Sequence, residues 1–138
     1  MSSKQYDWNS VGLDFGNWDE DKIWALNLPT TEIDIQELLW HFDAPWWAND
    51  NNERWSITPW DVINKTPDST SEQARVLKAD LSYPIDLIKN EGKFLILDGI
   101  HLLVKAHLLG HTRIPAHIIP RERLPEITSN HPIELPSN

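Results

Sequence analysis

Asp98, Gly99 and His101 are the residues of this chain whose types and spacing best suit chemistry. The run Phe94-Leu95-Ile96-Leu97 reads as a buried strand that stops at Asp98-Gly99 and passes at once into an apolar helix over residues 100–109. Such a junction leaves backbone N–H groups and the positive end of a helix dipole where a phosphate or carboxylate can dock. With a nucleotide there, Asp98 offers the hard oxygen that magnesium takes, and His101 can donate to a phosphate oxygen. The same residues also have a plain structural use, because aspartate caps helices and glycine permits tight turns.

A second group precedes a tryptophan pair: His41 and Asp43, then Pro45-Trp46-Trp47 in a polar loop. Two adjacent indoles in such a loop are hard to hide together, so one is expected to line a pocket or meet a partner. His107, His111 and His117 make a poor zinc set. Gly110 should end the helix between the first two, and no cysteine completes the ligands.

The elements that must position these groups are clearest in the second half. Residues 84–89 read as a strand, Asn90-Glu91-Gly92 as a tight turn and residues 93–97 as the strand paired with it. The helix over 100–109 is apolar nearly all round, Gly110 supplies its end, and residues 114–119 return as a strand. Earlier in the chain, alternation predicts a strand over 23–28, and the apolar spacing of Ile35, Leu38, Leu39 and Phe42 predicts a helix over 33–42. Thr58 followed by Pro59 marks a short helix start, and residues 71–79 read as another helix. Trp24, Trp40 and Trp60 fall at inward-looking positions. The expected organisation is an acidic aromatic arm over 1–22, one domain over 23–120 and a proline-rich extended tail over 121–138.

Composition sets bounds on partners. A chain of 138 residues is enough for one domain with a real core. The net charge of −9 lies entirely in residues 1–53, and all 8 tryptophans lie in the first 60 residues. An acidic front half repels a nucleic-acid backbone, and no basic stripe compensates, so no nucleic-acid partner is expected. The absence of cysteine excludes thiolate chemistry and suits a reducing compartment. No apolar run approaches the roughly 20 residues that span a bilayer, and no apolar stretch follows the N-terminus as in a signal peptide, so a cytoplasmic, membrane-free protein is expected.

The order strand, Asn-Glu-Gly turn, strand, Asp-Gly, buried helix, Gly-His, strand, from Tyr83-Pro84-Ile85-Asp86 to Ile114-Pro115-Ala116-His117-Ile118-Ile119, resembles the core of the ParB/sulfiredoxin superfamily. The resemblance covers residues 80–120 and extends more loosely back to 23–28. It implies a small single α+β domain, a mixed sheet with packed helices, and a phosphate site at the strand-to-helix turn. Family members bind CTP or ATP there, and one group, with an Asp-Gly-x-His-Arg motif, phosphorylates free serine. What the resemblance implies for this chain is a phosphate site at Asp98, Gly99 and His101. The expected nucleotide site adds magnesium on Asp98, the neighbouring Ile100, and Lys105, a point charge one turn from His101 that does not sit at a position of the family motif. Trp46 and Trp47 would wall the substrate side. His101 and Asp43 would be catalytic, Asp43 (or, less favoured, Glu37) as base for a substrate hydroxyl. The chain departs from the family at Leu102, where the motif has arginine, and a leucine cannot supply the guanidinium fork.

The expected function is binding of a nucleotide or other phosphorylated small molecule, extending to phosphoryl transfer onto a small hydroxylic acceptor. The competing expectation is a non-catalytic binding module, such as an immunity protein, antitoxin or regulatory partner, docking on a basic protein surface.

Overall fold

The computed structural model describes residues 5–11 and 18–128. Strands β2 (Ile85–Asn90) and β3 (Lys93–Asp98) form an antiparallel hairpin around Glu91 and Gly92, both at positive φ (51° and 76°), as a two-residue turn matched to strand twist requires. Helix α4 (Ile100–Leu108) leaves β3 through Gly99, ends at Gly110 (φ 81°), and β4 (Arg113–Ile118) returns parallel to β2. Strand β1 (Thr31–Asp34) pairs antiparallel with β4, giving a four-stranded mixed sheet in the order β1-β4-β2-β3. The domain is α+β, as expected.

Alternating strand residues feed two cores, one on each face of the sheet. Ile85, Leu87, Ile96, Ile114 and Ala116 pack with Leu103, Val104 and Ala106 of α4, Val62 of α2 (Pro59–Ile63) and Val76 of α3 (Thr70–Lys78). Ile88, Leu95 and Leu97 belong to the other core, where Trp8, Val11, Ile23 of α1 (Glu20–Trp24) and Ile127 cover the sheet. A strand buried on both faces reads as an unbroken apolar run, as β3 does over residues 94–97, whereas Asp86 interrupts the run in β2. The start of α2 is as the sequence predicts: Thr58 accepts from Asp61 N–H, Asp61 accepts from Thr58 N–H, and Pro59 opens the helix.

Four expectations are corrected. Residues 23–28 contain no strand; Asp19 accepts from the Asp21 N–H as N-cap, and Glu20 and Asp21 occupy the favoured acidic first turn of α1. Helix does not begin at Ile33, because the backbone pairs with β4 through Asp34 and Ile35 N–H still bonds to Thr112. Residues Ile35–Asp43 then coil as a 3-10 helix, burying Leu38, His41 and Phe42. Trp24 and Trp60 are 59 % and 38 % exposed, not core residues; each indole N–H reaches a carboxylate, Asp98 and Asp43 respectively. Beyond Pro120 the chain is not extended: Arg121–Glu126 forms a 3-10 helix that leads into fully buried Ile127, while residues 129–138 lie outside the described residues.

Candidate functional site

The Asp98–Gly99 junction is shaped by a close contact. Gly99 has φ 118°, and a Cβ there would lie 2.6 Å from Ile85 Cγ2, so both backbone sign and space demand glycine. Just before it the hairpin register slips: Leu87 faces Ile96, but Asp86 faces Asp98, which leaves Leu97 as an extra residue. The slip sets two carboxylates opposite one another where β3 ends and α4 begins.

A cavity of about 880 Å³ opens at this place. Asp86, Asp98, Gly99, His101, Leu102 and His117 line it from the sheet and α4; Arg75, Lys78, Asp80, Tyr83 and Trp24 are among the residues of its other walls. The amides of the first helical turn have no intrahelical acceptor, and Gly99 offers no side-chain cap. Asp98 Oδ2 accepts from Trp24 Nε1 at 2.7 Å. Asp86, 4 % exposed, accepts from His117 Nδ1 at 3.0 Å. Burial raises the Asp86 pKa above the usual carboxylate value; His117 opposes the shift and the charge of Asp98 adds to it. Glu20 on α1 is also raised, by partial burial and then by Asp98, so the Trp24 side of the cavity is crowded with negative charge.

Several expected site residues are placed elsewhere or engaged internally. His101 Nε2 donates to Glu72 Oε2 at 2.6 Å, and its ring stacks on Trp47 at 4.5 Å and 16°. Glu72 is buried and lies 3.7 Å from Arg75, so His101 is fixed between α3 and the tryptophan loop. Lys105 Nζ donates to the carbonyls of Leu77 and Ala79, at 2.8 and 2.7 Å, and so caps the end of α3. Ile100 packs against the helix-side core. Asp43 is exposed, accepts from Trp60 Nε1 at 3.0 Å and does not line the cavity. Trp46 and Trp47 border a separate hollow of about 540 Å³ with Trp55, Asn49, Arg54 and Ser71. Glu72 and Arg75 also border that hollow, while the larger cavity is bordered by Arg75 and His101.

His41 is a core residue. It is fully buried, donates Nδ1–H to Leu38 O at 2.8 Å and accepts from Ile96 N–H at Nε2, 3.0 Å away. Burial pushes its pKa down to about 3, so it stays neutral.

Sequence reasoning missed Asp86, His117, Tyr83 and Trp24 as cavity residues. A signal existed: Asp86 and His117 each interrupt an apolar strand, and a charged or polar group at such a position needs a partner. Among the described residues, no group of three or more His, Asp or Glu side chains is gathered to hold a metal ion, and no helix is long and apolar enough to cross a membrane. No family model, curated protein or solved structure matches this chain.

Proposed function

We propose that this protein binds a nucleotide or another phosphorylated small molecule in the cavity over the first turn of α4, with a ParB/sulfiredoxin-like mode of phosphate capture. One observation carries the reading: open space of ligand size stands directly against Asp98, Gly99, His101 and Leu102. A phosphate in that space would meet the positive end of α4. Arg75 and Lys78 border the same space and offer cationic side chains in place of the motif arginine that Leu102 lacks. Trp24 and Tyr83, exposed at 59 % and 66 %, offer flat apolar walls for a purine or pyrimidine ring.

Asp86 and Asp98 fit a ligand that arrives with magnesium. Two carboxylates facing one another would repel a bare polyphosphate, whereas the pair with phosphate oxygens suits a hard cation. When bound, magnesium would neutralise phosphate charge; the chain itself would orient the ligand against His101, whose ring is held by stacking on Trp47. Phosphoryl transfer to a small hydroxylic acceptor is the extension of this reading.

The test is a thermal melt with and without Mg-ATP, Mg-CTP and Mg-ADP. A ligand at 100 times its Kd stabilises the native state by about 2.7 kcal/mol and raises the midpoint. No shift with any nucleotide at millimolar concentration would count against the reading.

A second reading, a protein-binding module, is favoured by a specific observation: the turn has no free cationic side chain of its own. His101 is held by Glu72, Lys105 caps α3, and position 102 is leucine. Exposed Glu20 and Asp21 on α1 would then meet a basic partner. Neutralising both should weaken capture of that partner and its salt dependence.

A further inference from the structure

We infer that Thr30, His117 and Asp86 form a hydroxyl-activating relay, in which Thr30 Oγ1 is a nucleophile toward activated carboxylic esters. The sheet builds the relay. Asp86 and His117 are partners in the parallel β2–β4 register, and continuing the β1–β4 pairing one step beyond Thr31 and Ala116 sets Thr30 opposite His117. Asp86 Oδ1 lies 3.0 Å from His117 Nδ1, and His117 Nε2 lies 3.1 Å from Thr30 Oγ1. An ionised Asp86 can only accept, so it holds the proton on Nδ1 and leaves Nε2 as the acceptor of the Thr30 hydroxyl proton. Hydroxyl, imidazole and carboxylate are therefore in the order and at the spacing that nucleophilic acyl transfer requires.

Burial differs along the relay in the sense that reaction needs. Asp86 is 4 % exposed and His117 is half-buried, whereas Thr30 is exposed and open to an incoming ester. The relay uses none of the α4 first-turn groups, but Asp86 and His117 also line the cavity and Asp86 is shared with the proposed magnesium-bearing ligand, so the relay is assayed without nucleotide or magnesium.

The step balances as follows. Thr30 Oγ1 attacks the ester carbonyl carbon while its proton passes to His117 Nε2. The bond from carbonyl carbon to the leaving oxygen breaks, and His117 returns the proton to that oxygen, releasing the alcohol or phenol. Water then attacks the acyl-threonine, giving up a proton through His117; the carboxylic acid departs and Thr30 regains its hydroxyl. His117 touches the moving proton, and Asp86 is a positioning residue.

The test is incubation of the full chain with p-nitrophenyl acetate, following phenolate release and mapping the acetyl group by peptide mass spectrometry. Expected are acetylation at Thr30, its retention in Thr30→Ser, and its loss in Thr30→Val, which keeps the side-chain shape without the hydroxyl. His117→Gln should slow acetylation of Thr30 by about 10²-fold, the usual weight of a positioned base. Asp86→Asn should slow it while leaving the melting midpoint nearly in place; a purely structural Asp86 would move the midpoint and not the rate. If His117→Gln does not fold, the Ser and Val variants of Thr30 still decide. Acetyl groups confined to lysines, or Thr30 labelled at an unchanged rate without His117, would overturn the relay and leave the trio a tie between β1, β4 and β2.

Discussion

Gly99 and Ile85 approach so closely that no side chain fits between them: a Cβ on residue 99 would stand 3.0 Å from Ile85 Cβ and closer still to its Cγ2. The Asp-Gly turn thus owes its glycine to packing as well as to conformation, and the phosphate reading has to rest on the cavity beside the turn. Gly99→Ala should destabilise the fold by about 2–4 kcal/mol, combining overpacking with the strain of a left-handed backbone. Urea melts check this. Ile85→Ala removes the offending Cγ2, so the double variant should lose less than the sum of the two single losses; additive losses would show that strain, not contact, dominates.

His41 gives the fold a pH limit whose sign can be worked out. Its folded pKa is about 3 against an ordinary 6.5, so between these values the unfolded chain binds the proton and the folded chain does not. The contribution is fully present above pH 6.5 and is lost as pH falls from there toward 3. At roughly pH 5 the loss comes to about 2 kcal/mol. His41→Gln should flatten that part of the profile in urea melts at graded pH, even if it lowers stability overall. An unchanged acid slope would mean that His41 does not carry it.

What the sequence could reveal follows from which forces act locally. The β2–β3 hairpin, α4 and β4 were legible because turn chemistry, apolar runs and a terminal glycine all act over a few residues. The Thr58 cap was legible for the same reason. Residues 23–28 misled because Trp24, Leu26 and Leu28 fit an alternating pattern, while the acids that open α1 lie before it. Trp24 and Trp60 misled because an indole can lie on the surface when its N–H finds a carboxylate, and both do. At the site, Asp98 and Gly99 could be named from the turn. Asp86 and His117 could be noted singly, as polar residues that interrupt apolar strands, but not as a pair, because their meeting depends on β4 entering the sheet beside β2, a pairing fixed by the whole chain.

Lys105 separates a binding role from a structural one. Its ammonium holds two carbonyls at the end of α3, Leu77 O and Ala79 O, where orphan acceptors need a donor. Lys105→Met keeps the aliphatic stem and removes the donor. It should cost about 1–2 kcal/mol in urea melts. Nucleotide affinity, measured by equilibrium dialysis, should be unchanged if the lysine is purely a cap; a tenfold loss of affinity at unchanged stability would return Lys105 to the phosphate site.

Leu102→Arg is the sharpest trial of the nucleotide reading. Leu102 borders the cavity on the helix that begins at Gly99, so a guanidinium at that position starts one turn from the proposed phosphate and within reach of it. A bidentate, charge-assisted contact is worth about 1.5–3 kcal/mol, which corresponds to roughly a 10- to 150-fold gain in affinity for Mg-ATP or Mg-CTP. Isothermal titration of both proteins against the same nucleotides measures it. Arg75→Ala and Lys78→Ala in the native background should act in the opposite direction, because these cations stand in for the missing one. A Leu102→Arg protein that folds normally yet gains nothing would mean that the cavity does not seat a phosphate against α4. Its carboxylates and aromatic walls would then be left for a ligand of another charge, and the basic-partner reading would gain what the nucleotide reading loses.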